Sequence, residues 1–316
     1  MKGIRPRRHA IRSVALMLAG LAGCCGCAAQ AEEKALYGKD DRIEVSAADA
    51  ELRSAARSVA ALFQSDALDR LPGRGWRLPE EAVGPKSNWC PSERFGDQPG
   101  GALCTGFLIG PDRIATSAHC IRATADRFAP GVACGQARFV FDYHVDHRGQ
   151  AMTRPTPDRV YRCEAVLAGE GNRAGADWQV VKLDRPVSER APLPVHDGDP
   201  LPVGTSLEVI GHPSGLPAKI SAGGRLVEQR DAGYFVTDLD TYQGNSGSPV
   251  LARVDARRTV IGLLSRGARD FETRSSDGDT CEVSRVCDVA SCGGEHATWA
   301  GAFLEHARRA RGDRPR

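Results

Sequence analysis

The sequence carries almost no net charge. Its 42 lysines and arginines nearly balance 40 aspartates and glutamates, leaving +2 over 316 residues. Such a chain has no global field to attract a polyanion, so nothing points to nucleic acid. The basic residues that do cluster stand at 5–12 and 308–316, and the second cluster reads as a solvated tail. Long apolar runs are missing too. Residues 14–21 form a short one, below the length a membrane-spanning helix needs. There is no internal repeat and no low-complexity block, which removes solenoids and repeat arrays. Helical apolar spacing is also scarce: residues 297–311, with Trp299, Phe303 and Leu304 on one face, are the one good helix candidate.

What remains is turn-rich. Gly 35 and Pro 19 accompany an apolar fraction of 41%, enough for a packed core broken into many short segments. The N-terminus reads as an export signal, with Lys2, Arg5, Arg7 and Arg8 ahead of the apolar run. Two cleavage sites compete. Ala29-Gln30-Ala31 fits the small-x-small rule and leaves Glu32 first. Leu21-Ala22-Gly23-Cys24 resembles a bacterial lipobox, which would place a lipid anchor on Cys24, the one membrane link expected. Beyond residue 31 stand eight cysteines, Cys90, Cys104, Cys120, Cys134, Cys163, Cys281, Cys287 and Cys292. An even number behind an export signal implies disulfides in an oxidising compartment, periplasmic or extracellular. No C-x-x-C occurs among them, against a zinc site. Only Cys104–Cys120 can be paired locally, as the two ends of a hairpin around His119.

Short apolar segments separated by Gly, Pro and Asp follow one another at 105–109, 113–117, 137–142, 160–167 and 179–183. Residues 58–63 fit either a strand or the end of a helix, because the spacing before them is Ala-rich. A proline-punctuated linker covers 185–202. A second set lies at 206–210, 218–227, 234–237, 248–252 and 260–264. Evenly spaced strands with turn signals predict an all-β fold. The expected division is a signal at 1–31, an entry segment at 32–85 contributing to the barrels, a first barrel at 86–195, and a second barrel with the C-terminal helix at 196–316.

Three residues carry chemistry. Ser246 sits in Gln243-Gly244-Asn245-Ser246-Gly247-Ser248-Pro249, where glycines allow a sharp turn and could aim the Gly244 and Ser246 amides at one spot, an oxyanion hole. His119 ends an apolar strand in Thr116-Ser117-Ala118-His119-Cys120. Asp177 opens another in Ala176-Asp177-Trp178-Gln179. A serine hydroxyl is a poor nucleophile until a base takes its proton and a carboxylate orients that base. Each residue alone has a plain reading: a Gly-Asn-Ser turn, a histidine at a strand end, a turn aspartate. Their order, loop placement and strand flanks agree, and that agreement argues for a triad. The nucleophile elbow G-x-S-x-G does not fit, since Ser248 replaces the last glycine and that fold runs Ser, acid, His. His144 and His147 lack a third ligand at a recognisable spacing and read as a hairpin loop, so neither a metal nor an organic cofactor is expected.

On these residues the chain resembles the trypsin-like serine endopeptidases of the chymotrypsin fold, in their bacterial glutamyl-endopeptidase-like branch. Ser117-Ala118-His119-Cys120, Asp177-Trp178-Gln179-Val180-Val181 and Gly244-Asn245-Ser246-Gly247-Ser248-Pro249-Val250 carry the resemblance. Gly211-His212-Pro213 and Gly38-Lys39-Asp40-Asp41-Arg42 extend it. It implies two packed six-stranded antiparallel barrels, His119 and Asp177 from the first and Ser246 from the second, acting on protein or peptide as a monomer. Animal trypsins carry Asp where Asn245 stands, so their zymogen switch is expected to be absent. The resemblance places a specificity pocket at Asp240, Thr241, Leu264 and Ser265. A floor carboxylate at Asp240 favours Arg or Lys before the cleaved bond, unless Arg266 neutralises it. Thr241 matches the glutamyl branch, but Leu264 stands where that branch has histidine. The alternatives are a protease-like binding module without turnover, and an esterase using the same triad.

Overall fold

In a computed structural model, residues 35–73, 75–122, 131–172, 174–276 and 278–311 are described. The charged leader, Cys24 and both cleavage sites lie outside them, as do 312–316 of the basic tail. The Ala-rich stretch resolves into two elements. Ala50–Ala56 is a helix (α1), started by the Asp49 side chain, which accepts the Leu52 N–H at 2.9 Å. Val59–Gln64 is a strand (β1), almost wholly buried.

β1 opens a closed six-stranded barrel with Cys104–Gly110 (β2), Arg113–Thr116 (β3), Ala137–Phe141 (β4), Val160–Gly171 (β5) and Asp177–Leu183 (β6). The antiparallel order is β4-β5-β6-β3-β2-β1, and β1 pairs back to β4. Leu62, Leu108, Ile114, Phe139, Tyr161 and Val181 fill its interior. Side chains alternate along a strand, so the neighbours of Leu108 on β2, Phe107 and Ile109, face outward. They are buried nonetheless, in a cluster shared with Ile210, Ile220, Leu251 and Leu263 of the second barrel. Strands buried on both faces appear in the sequence as continuous apolar runs.

The second barrel comprises Ser206–Gly211 (β7), Lys219–Arg230 (β8), Tyr234–Thr237 (β9), Pro249–Val254 (β10), Arg257–Arg266 (β11) and, after the hairpin Phe271–Ser276 (β12) and Asp279–Ser284 (β13), Glu295–Trp299 (β14). Its order is β7-β10-β11-β14-β9-β8, closed by β8 on β7. The fold is therefore the expected pair of six-stranded antiparallel barrels with a C-terminal helix.

One local expectation is corrected. Residues 297–299 are strand, not helix: Ala297 and Trp299 pair with β11, and Ala297 with β9, supplying the sixth strand that the sequence pattern did not show. The helix (α2) is Gly301–Arg311. It packs across on the first barrel, with Phe303 edge-on to Phe107 at 6.0 Å, although the chain order groups it with the second. The start of the chain crosses the other way, for Ile43–Glu44 adds a short strand to β8.

Candidate active site

β3 ends at Thr116, and a single 3-10 turn, Ala118–Cys120, carries His119. β6 begins at Asp177, whose carboxylate is nearly buried. Asp177 Oδ1 accepts the amides of Ala118 (2.8 Å) and His119 (3.3 Å), and Oδ2 lies 2.6 Å from His119 Nδ1. One carboxylate thus fixes both the turn and the ring. A carboxylate acceptor requires Nδ1 to carry the proton, which leaves Nε2 as the acceptor. Asp177 is itself held by Thr298 of β14: its N–H donates to Thr298 Oγ1 (2.9 Å), and that hydroxyl donates to Asp177 O (3.2 Å). The Cys104–Cys120 disulfide closes the loop, as expected.

The Ser246 loop lies against this same corner. Ser246 O accepts the Thr105 N–H at 2.8 Å, and Gly244 O accepts the Thr105 hydroxyl at 2.8 Å. The Cys120 sulfur stands 3.6 Å from His119 Nε2 and 3.7 Å from Ser246 O. His119, Asp177 and Ser246 are thereby brought together at the junction of the barrels. The Ser246 hydroxyl donates to Ser265 O at 3.2 Å. Gly244 has φ +97° and Gly247 φ +86°. A Cβ at Gly244 would collide with the His212 carbonyl, and one at Gly247 with Thr105 O, so only glycine serves at either position.

Among the described residues, one trio of metal-type donors gathers, Cys104, His119 and Cys120, and its two sulfurs are bonded to each other. His147 is exposed and His144 half-buried in their loop.

The sequence profile of the trypsin-like peptidase domain matches residues 104–263. The chain belongs to that family. A trypsin-like protease from Streptomyces glaucescens is 26% identical over 186 residues, 52% of this chain and 65% of the relative. Protease Do-like 8, chloroplastic, from Arabidopsis thaliana is 32% identical over 138 residues, 37% of this chain and 30% of that protein. The chain therefore spans less than two thirds of either relative. A solved Glu endopeptidase, determined in complex with MPD, superposes with a TM-score of 0.50 at 18% identity, covering 88% of this chain and all of that one; at that identity the likeness speaks for the fold.

Within this family fold, the expected pocket residues lie beside Ser246 in part. Asp240 is buried, and its oxygens accept two amides from a strap at residues 35–42: Tyr37 N–H on Oδ1 (2.7 Å) and Asp41 N–H on Oδ2 (2.9 Å). Burial pushes its carboxyl up to about 7, a rise that the two amides moderate and nearby Asp41 and Asp40 reinforce. The Thr241 hydroxyl donates to Glu295 Oε2 at 2.6 Å. Leu264 packs into the core of the second barrel. Its contribution here is its carbonyl, which accepts the Ser117 hydroxyl (2.9 Å) and the Gly247 N–H (2.6 Å). The Ser265 hydroxyl donates to His296 O (3.1 Å). Arg266 donates to the carbonyls of Asn172 (2.7 Å) and Gly175 (2.8 Å), on the loop before Asp177.

Glu295 went unmarked in the sequence. It is fully buried against Gly267, and its Oε1 accepts the Ala35 N–H and the Tyr37 hydroxyl, both at 3.2 Å. Its only sequence signal was an acid between Gly293-Gly294 and an apolar strand. Tyr37 and Thr298 were equally silent, since their partners lie far away along the chain.

Proposed function

We propose that this protein is an exported serine endopeptidase working through His119, Asp177 and Ser246. The observation that carries the reading is the carboxylate of Asp177, which holds His119 Nδ1 at 2.6 Å while the Ser246 loop lies against the same turn. In that tautomer Nε2 is the ring nitrogen that takes a proton. The Ser246 hydroxyl exchanges Ser265 O for Nε2, transfers its proton there, and its oxygen bonds to the substrate carbonyl carbon. The tetrahedral oxyanion is held by the Gly244 and Ser246 amides. Collapse breaks the C–N bond as His119 returns the proton to the leaving amine. Water then repeats the sequence on the acyl-enzyme, with His119 as its base. Asp177 stabilises the imidazolium.

Export is supported by the bonding of all eight cysteines beyond the leader in four disulfides, Cys90–Cys281, Cys104–Cys120, Cys134–Cys163 and Cys287–Cys292, chemistry that belongs to an oxidising compartment. Among the described residues no helix is long and apolar enough to cross a membrane.

The pocket favours a cationic or neutral residue before the cleaved bond over an anionic one. Burial first, and then Glu295, Asp238 and Asp240, hold the proton on the Tyr37 hydroxyl. The Thr241 hydroxyl, the feature shared with the glutamyl branch, is already given to a carboxylate. In a panel of Arg, Lys, Phe and Glu chromogenic peptides, the Glu peptide is expected to be cleaved at least about tenfold more slowly than the best of the others. A leading Glu peptide would overturn this.

Replacing Ser246 by Ala is expected to lower turnover by on the order of 10⁶-fold and to abolish labelling by a fluorophosphonate. Labelling that persists in Ser246→Ala would sink the assignment of the nucleophile.

A further inference from the structure

The amide of Gly244 belongs to the Gln243–Gly244 peptide, and a trans peptide points its C=O and N–H to opposite sides. Glycine on one side of this unit accepts either sign of φ, so the unit can turn over at little local cost. In the turned state, the Gln243 carbonyl would face the substrate oxygen and repel it. The orientation therefore has to be set by neighbours.

Two of them bear on it. The Gln243 carbonyl accepts the Ser214 N–H at 2.5 Å. Ser214 holds a left-handed backbone (φ 51°, ψ 26°), a conformation that costs a non-glycine residue free energy. The N–H of Gln243 donates to Asp270 Oδ2 at 2.9 Å. Both backbone polar groups of the residue before Gly244 are thus held from outside the loop.

Asp270 stands at the base of the β12–β13 hairpin, where its own carbonyl accepts the Arg285 N–H at 2.8 Å. That hairpin is firmly mounted. Cys281 is bonded to Cys90, and backbone hydrogen bonds of 2.8 Å flank the bond, Cys90 N–H to Glu282 O and Glu282 N–H to Asn88 O. Glu93 accepts both the Ser284 N–H (3.0 Å) and the Ser284 hydroxyl, which in turn receives the Tyr242 hydroxyl. The Phe271 ring lies 4.9 Å from that of Tyr242 and 5.1 Å from that of Trp89.

We propose that Asp270 is a positioning residue for the oxyanion-binding amide: it fixes the Tyr242–Gln243 peptide, and with it the Gln243 Cα on which the next peptide turns, while Ser214 orients the Gln243–Gly244 peptide itself; the disulfide-tethered hairpin is the arm on which Asp270 is mounted. The inference rests on the reading of Gly244 as an oxyanion donor. Asp270 touches no reacting atom, so its effect belongs in kcat rather than in KM.

The test compares Asp270→Ala, Asp270→Asn and Thr273→Ala, a hairpin change away from Gln243. Loss of a whole oxyanion donor costs 10²–10³-fold in other enzymes. Loss of a donor's support should cost less, about 10–30-fold in kcat for Asp270→Ala, with KM within about threefold. The fluorophosphonate labelling rate should fall in step. Asn keeps an oxygen acceptor for the Gln243 N–H and should recover kcat to within about threefold of wild type; Thr273→Ala should match wild type. An Asp270→Ala variant as fast as wild type, or an Asn variant no better than Ala, overturns the proposal. Hydrogen exchange across residues 240–247 of the wild-type chain gives a reading that survives a misfolded Ala variant. A protected Gln243 amide supports the contact, and exchange at the rate of a free amide overturns it. A wild-type chain that neither turns over nor labels would overturn the protease reading and this inference together. An active wild type with an unaffected Asp270→Ala overturns the inference alone.

Discussion

The two halves of the candidate site are built in different ways. The acid–base half is local: β3 delivers His119, β6 delivers Asp177, and the Cys104–Cys120 bond closes a loop of sequence separation 16. The nucleophile half is assembled from a distance. Its flank is held by the strap at 35–42, some two hundred residues upstream of Asp240, and by a hairpin whose disulfide spans a separation of 191. The contacts that join Asp177 to His119 thus lie within one barrel, braced by Thr298 of the other, whereas order in the second half depends on the whole chain having come together.

Four measurements sharpen this contrast with the Ser246→Ala experiment as its reference. Asp177→Asn strikes the local half hardest. It keeps the shape but allows the wrong tautomer of His119, so kcat should fall by about 10⁴-fold, with the melting temperature nearly unchanged. A large fall in melting temperature would make Asp177 a fold element instead. Next comes the paired change Cys90→Ser with Cys281→Ser. The chain-entropy estimate for so long a loop is on the order of 5 kcal/mol, an upper figure because other disulfides lie within it. Denaturant unfolding should register the loss, and kcat should fall with it, since the hairpin carries Asp270. Cys104→Ser with Cys120→Ser opens a shorter loop and should cost about 3 kcal/mol. If the short loop proves costlier than the long one, the contrast between the halves fails.

The smallest effect is titration of Asp240. Its folded carboxyl is raised to about 7 from an ordinary value near 4. The folded chain therefore binds this proton more tightly than the unfolded chain does. The associated stability is fully present below about pH 4 and is lost as pH rises through about 7. After allowance for partial exposure and screening, this should amount to about 1–2 kcal/mol. The stability difference between wild type and Asp240→Asn, followed by calorimetry from pH 4.5 to 8, should move against the wild type. A flat difference would show that the strap anchors a permanently charged Asp240.

The same contrast explains what could be seen in the sequence. His119 and Asp177 stand at strand ends, where a change from apolar run to polar residue marks them, and Ser246 stands among glycines that only a tight turn requires. Their contacts follow from which strands are neighbours. Asp270, Glu295 and Tyr37 have no such marks. Each is an ordinary polar residue whose partner lies more than twenty residues away in sequence, reachable only once both barrels are closed. Trp299 shows a different failure. With Phe303 and Leu304 it fits a helical face, yet its packing on Phe235 at 4.3 Å and its pairing with Gly262 place it in a strand. There tertiary pairing outweighs local spacing.

The crossed ends of the chain bear on how the molecule comes into being. Ile43–Glu44, among the first described residues to be synthesised, is stitched into the later barrel, and Gly301–Arg311, among the last, covers Phe107 of the earlier one. Neither barrel can finish during vectorial emergence of the chain: the first waits for its lid and the second must receive a segment made long before. A nascent or truncated product lacking α2 would lack the Phe303 ring that packs on Phe107. The lacing thus postpones completion of the candidate site until Gly301–Arg311 has been made.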